Sequence, residues 1–148
     1  YEICLSDWSS DVCSSDLKRI AKAEGVYTDT RFRDEIAKLE VDVVALEMLV
    51  LRVLSAEKSG KQSLDIAGLL KIKGSEIQQR YSELMMLAAG PYSTPFIEEA
   101  MEAGWQGDHV GAAHCAPLAS TYFNMRKTTI YGGSNEVQRN IVAQVVLG

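Results

Sequence analysis

The residue types best suited to chemistry in this chain of 148 residues lie near its C-terminus, in the run Tyr131-Gly132-Gly133-Ser134-Asn135-Glu136. Two glycines precede a segment with helical spacing. Ser134 suits the N-cap of that helix, and Glu136 suits the positive end of its dipole. Free backbone N–H groups at such a terminus also suit phosphate or another anionic oxygen. By physics alone, a plain Gly-Gly loop followed by a cap accounts for the run more readily. A second set, Asp108, His109, His114 and Cys115, has the side chains of a metal site. Its spacing matches no standard zinc pattern and its surroundings read as loop, so solvated residues and no metal are expected. Lys71, Lys73, Arg80 and Arg126 form a third set, a basic face of the kind that is usually solvated.

The elements that position these groups all read as helix. A short helix over Lys18 to about Glu24 stops at Gly25, a good C′ residue. Asp29 or Thr30 caps a second helix that runs to about Lys58. Its seam is Ile36, Leu39, Val43, Leu46, Val50 and Val53, alternating steps of three and four. Ser59, Gly60 and Lys61 end it. Val41, Ala45 and Met48 lie off that seam and leave apolar surface for another partner. A third helix runs from near Ser63 to Ala89, with Ile66, Leu69, Leu70, Ile77, Tyr81, Leu84 and Leu87 facing inward. Gly68 and Gly74 each cost this helix ~1 kcal/mol relative to alanine. They signal close approach, either of another helix or of a ligand. The stretch from Gly90 to His114 breaks the pattern around Pro91 and Pro95, with a short helix expected over Pro95–Ala103. A fourth helix covers about Ala116–Thr128 with Leu118, Tyr122, Phe123 and Met125. The last begins at Ser134 and carries Val137, Ile141, Val142, Val145 and Val146. Long helices joined by short connectors predict an all-α, up-and-down four-helix bundle.

The first 17 residues stand apart. They show no periodicity, and Asp7 through Asp16, with the start of the Leu17 codon, match the translation of a widely used sequencing-library adapter. Residues 1–17 are therefore expected to be an adapter-derived artefact without structure, and residues 18–148 a helical domain. Setting aside Glu2, Asp7, Asp11 and Asp16 reduces 20 acidic residues to 16, against 15 basic ones. The formal net charge of the whole chain, -5, argues against a nucleic-acid partner. Cys115 is then the one cysteine left, which points to a reducing, cytoplasmic setting. No run approaches the ~20 apolar residues of a membrane span.

The stretch IYGGSNEVQRNIVAQVVLG is similar to the C-terminal signature of acyl-CoA dehydrogenases, and the helix order from Arg31 onward fits that family. LLKIKGSEIQQ, the AGPY turn and YFNMRKTTIYGGSNE resemble bacterial pimeloyl-CoA dehydrogenase large subunits. The resemblance implies FAD as cofactor, an acyl-CoA substrate desaturated between Cα and Cβ, and an acceptor of the electron-transfer flavoprotein type. It implies a homo- or hetero-oligomer, with the N-terminal and middle domains of the enzyme missing here. Ser134, Asn135 and Glu136 match the family's flavin-contacting triplet, and Gly133 a substrate-side position. Gly90 is what remains of a Gln-x-x-Gly-Gly segment that approaches a neighbouring subunit's flavin. The Arg-x-x-Phe-Gly segment is not evident around Arg31 and Phe32. Arg126 matches a motif arginine, read as a structural ion pair. In a flavin enzyme the basic face would also meet phosphate.

One departure bears on catalysis. Many relatives place the catalytic glutamate where this chain has Gly132, and glycine cannot abstract a proton. Other relatives with glycine there carry the base on a helix upstream of, or ending in, LKRIAK. No catalytic base is therefore expected in this chain. The competing expectation is a non-catalytic helical assembly subunit or module of a heteromeric acyl-CoA dehydrogenase.

Overall fold

The computed structural model describes residues 10–58 and 64–147. Its α-helices are α1 (Ser10–Ala23), α2 (Thr30–Lys58), α3 (Leu64–Ala89), α4 (Leu118–Met125) and α5 (Asn135–Leu147), and the described residues contain no β-strand. The expected helix end at Ser59–Lys61 and the start near Ser63 lie outside the described residues. Helix α3 is the spine and packs against α1, α2, α4 and α5. This is the all-α bundle that the helical spacing predicts.

Helix α1 begins earlier than expected and includes residues 10–17, which the sequence reading leaves unstructured. Leu17, Ile20 and Ala21 are fully buried. Their 3-and-1 spacing makes one stripe that spans the expected boundary, and a helix nucleated on Ile20 and Ala21 extends backward at little cost. Gly25, at φ 76°, stops it in the left-handed conformation. Asp29 caps α2: its carboxylate accepts the Arg31 N–H at 2.8 Å.

The core joins Ile36, Leu39, Val43 and Leu46 of α2 to Ile77, Tyr81, Leu84 and Met85 of α3, with Leu118 of α4 and Leu17 and Ile20 of α1. The α2 seam is buried only that far; Val50 is exposed and Val53 half-buried. Val41, Ala45 and Met48 face solvent as expected, joined by Val44, Leu51 and Leu54. On α3, Leu69 and Leu87 are exposed rather than inward, while Ile72, Met85 and Ala88 are buried. A helix covered from several sides has no single inward stripe, so one set of spacings misassigns part of it.

Helix α4 is shorter than expected and continues as a 3-10 turn over Arg126–Thr129. The expected helix over Pro95–Ala103 is a single 3-10 turn, Glu98–Met101. Helix α5 lies on α3 but turns Val137, Ile141 and Val145 outward.

Candidate functional site

Helix α5 starts where the sequence places it. Ser134 is the N-cap: its carbonyl accepts the Gln138 N–H at 2.9 Å and its hydroxyl the Val137 N–H at 3.4 Å. Gly132 and Gly133 precede it at φ 68° and 86°, in the left-handed region that glycine enters without strain. Gln138 reaches back from the first turn and donates to the Gly132 carbonyl at 3.0 Å. A Cβ on Gly133 would meet that amide at 2.6 Å, so the close return of Gln138 needs glycine there.

The turn is anchored from below. Asn135 is 4% exposed. Its Oδ1 accepts from the Lys71 ammonium at 2.6 Å and its Nδ2 donates to the Ser75 hydroxyl at 3.1 Å. Arg139 pairs with Glu76 at 2.8 Å. Gln79 donates to the carbonyls of Met125 and Arg126 at 3.3 and 3.2 Å, fixing the chain that leads into the turn. Arg126 donates to the Gln79 carbonyl at 2.9 Å and lies over the Tyr122 ring. Its role is structural, as expected, but its partners are carbonyls, a hydroxyl and a ring in place of the expected ion pair. Lys73 pairs with Glu76, and Arg80 with Glu35 and Glu83. The expected basic face is thus engaged in internal contacts.

The six candidate residues therefore separate. Gly132, Gly133 and Glu136 are exposed, Ser134 is half-buried, and Asn135 points into the bundle. The Asn135 amide is bonded to Lys71 and Ser75 of α3, which positions the turn. The Glu136 carboxyl sits below its usual range, chiefly because its own backbone N–H donates to it and then because Ser134 does. Gly90, at φ 59°, opens the 3-10 turn after α3. It lies 15 residues beyond Ser75 on the α3 spine, about 22 Å at helical rise, so one chain does not bring it to the turn.

A groove of about 410 Å³ opens beside the turn, lined by Val50, Lys71, Gly74, Ser75, Tyr131 and Gly132 among others. The two α3 glycines resolve differently there. A Cβ on Gly68 would meet Val142 at 2.8 Å, so that glycine serves the α3–α5 contact. A Cβ on Gly74 or Gly132 would meet nothing within 4 Å. Both leave backbone open to the groove, the space a flat ligand edge needs. The sequence does not single out Gln138, Ser75 and Gln79 as site residues, and it places Lys71 only on the basic face. The Gln-Arg pair after the signature, Gln138-Arg139, was the available signal.

Residues 17–147 match the family model of the acyl-CoA dehydrogenase C-terminal domain. The chain belongs to the acyl-CoA dehydrogenase family. The acyl-CoA dehydrogenase IpdE1 of Mycolicibacterium smegmatis is 27% identical over 134 residues, which are 90% of this chain and 29% of that protein. The solved structure of the Tcur3481-Tcur3483 steroid ACAD superposes with a TM-score of 0.69 at 21% identity, covering 91% of this chain and 33% of that one. It shows the same fold. The chain thus spans about a third of the length of the acyl-CoA dehydrogenases it matches.

Proposed function

We infer that this chain is the flavin-side helical domain of an enzyme that desaturates an acyl-CoA thioester between Cα and Cβ. The observation that carries the reading is the groove flanked by Gly74 and Gly132 next to the α5 N-terminus. Bound FAD would supply the hydride acceptor for that chemistry. Of this chain's own residues, the Ser134 hydroxyl and the Glu136 carboxylate at the mouth of α5 would hold it. Gly133 would face the thioester end of the substrate, and Gly90 the flavin of a neighbouring subunit. Asn135, Lys71, Ser75 and Gln138 keep the turn in register. Gly132 offers no base, so the α-proton would be taken by a carboxylate elsewhere in the complete enzyme. Cytoplasmic location and an acceptor of the electron-transfer flavoprotein type complete the reading. No helix among the described residues is long and apolar enough to cross a membrane.

The exposed apolar stripes of α2 and α5 favour a second reading, an assembly module within a heteromeric enzyme. The two separate in the complete natural protein. Under the first, purified enzyme carries FAD absorbance that bleaches on adding acyl-CoA. Glu136→Ala loses FAD on the order of tenfold more readily, the scale of one charged hydrogen bond, and Glu136→Gln stays near wild type. Normal FAD binding with flavin reduction abolished in Glu136→Gln would make Glu136 the base. Absence of flavin from the complete protein would favour the assembly module.

A further inference from the structure

We propose that Glu24, His114 and Cys115 form a metal site for a divalent transition ion, zinc above all, that clips the 90–117 segment to the end of α1. The sequence reading grouped His114 and Cys115 with Asp108 and His109 as solvated loop residues. That grouping fails: Asp108 and His109 are exposed, whereas the His114 side chain is 11% exposed and Cys115 is buried. The partner that the spacing hid is Glu24, 90 positions away from His114.

The His114 Nε2 lies 2.7 Å from the Glu24 carboxylate, and the Cys115 Sγ lies 4.0 Å from the same oxygen. All three ligand atoms fall within 4.8 Å of one another. Zinc with bonds of about 2.0 Å to N and O and about 2.3 Å to S needs ligands roughly 3.3–3.6 Å apart. To meet that requirement the His114–Glu24 contact opens by about 0.6 Å and the Cys115–Glu24 contact closes by about 0.5 Å, both within reach of side-chain rotation. Short, fixed backbone holds the set. Cys115 N–H donates to the Ala112 carbonyl at 2.9 Å, and Glu24 N–H to the Ile20 carbonyl at 2.9 Å. His114 also lines a cavity of about 320 Å³ with His109, Ala113 and Pro117, so one ligand of the three borders open space.

Charge favours the ion. A divalent ion displaces the Cys115 thiol proton to solvent, and the thiolate and the Glu24 carboxylate together neutralise it. Imidazole, carboxylate and thiolate are a donor set that suits zinc. Two ligands sit on one 3-10 turn and the third on the far side of the sequence, so binding ties two segments together. The role is structural, and stability is its readout.

The test uses the reduced, metal-free 148-residue chain titrated with Co²⁺ and then Zn²⁺. One equivalent of Co²⁺ should give a sulfur-to-cobalt charge-transfer band in the near ultraviolet with tetrahedral d–d bands in the visible. Zn²⁺ should erase both and raise Tm. Cys115→Ser should remove the charge-transfer band, while the double variant Cys4→Ser/Cys13→Ser keeps it. Glu24→Gln and His114→Gln should each weaken binding by about tenfold or more, and should show no zinc-dependent rise in Tm. Circular dichroism identifies any variant that fails to fold, and Glu24→Gln, a near-isosteric change beside an intact core, carries the test in that case. The proposal is overturned by no charge-transfer band, by a band that survives Cys115→Ser, or by unchanged affinity in Glu24→Gln.

Discussion

Gly132 combines two properties that bear on each other. By the family resemblance it matches the position where many relatives carry their glutamate, and its φ of 68° is one that side chains rarely adopt. Restoring the glutamate is therefore not a simple gain of a base. Gly132→Glu should destabilise the domain by about 1–2 kcal/mol through left-handed strain. It should also leave flavin reduction no faster in the complete enzyme. Urea unfolding and single-turnover flavin bleaching read these two outcomes separately; a stable variant with accelerated bleaching would refute both. Asn135 presents the opposite case, a residue whose matching position suggests ligand contact and whose side chain serves the fold. Truncation takes the acceptor from the part-buried Lys71 ammonium and the amide donor from the Ser75 hydroxyl, which keeps its own bond to the Ile72 carbonyl. Asn135→Ala should thus cost about 1–3 kcal/mol. Asn135→Asp, which keeps the acceptor for Lys71, should recover much of that. Equal losses in the two variants would show that shape, and not the Lys71 hydrogen bond, makes Asn135 necessary.

At the scale of the helix, α3 carries two glycines that look alike in sequence and do different things. Gly68 lets α5 approach, with Val142 2.8 Å from where its Cβ would be; Gly74 meets nothing. Gly74→Ala should stabilise the helix by up to ~1 kcal/mol. Gly68→Ala gains the same propensity and loses it to overpacking of about 1–3 kcal/mol. Gly68→Ala should therefore melt below Gly74→Ala, and thermal unfolding of the two single variants decides it. The glycines also show where reading the sequence reaches its limit. Helix spacing placed α2 and α3 correctly, and Ser134 and Gly25 marked true ends, because periodicity and capping are local properties. Which of two glycines meets a neighbour is decided by α5, more than 60 residues away. Glu24 was likewise invisible beside His114, because nothing local pairs the end of α1 with a distant 3-10 turn. The helix over residues 10–17 went unread for a related reason: Leu17 belongs to the same buried stripe as Ile20, whatever the origin of its codon. The adapter reading of Tyr1–Leu17 makes its own prediction. Re-amplifying the locus from source DNA should return different codons before Lys18, and finding the same run in genomic sequence would refute it.

For the whole molecule, the balance of covered and uncovered apolar surface matters most. Helix α2 presents Val41, Val44, Met48 and Leu51 to solvent at steps of three and four, and α5 presents Val137, Ile141 and Val145 at steps of four. Each is a continuous stripe on a helix whose other side is already packed, which is the pattern of a surface meant to be covered. Scattered exposed leucines would not align this way. The α2 stripe lies opposite the buried seam of Ile36, Leu39, Val43 and Leu46, so a charge placed on it leaves the core untouched. Val44→Glu/Leu51→Glu should therefore keep its helical circular dichroism and its Tm within a few degrees, since surface substitutions away from special features change stability by about 0.5 kcal/mol or less. The same variant should lose self-association, moving to a smaller sedimentation coefficient at concentrations where the parent chain is oligomeric. The α5 stripe serves as the comparison, and Ile141→Glu tests it alone. If α2 forms the contact between copies and α5 meets a different partner, only the α2 variant changes the oligomer. An α2 variant that sediments like its parent would remove α2 from the assembly interface and leave α5 as the surface that covers the bundle.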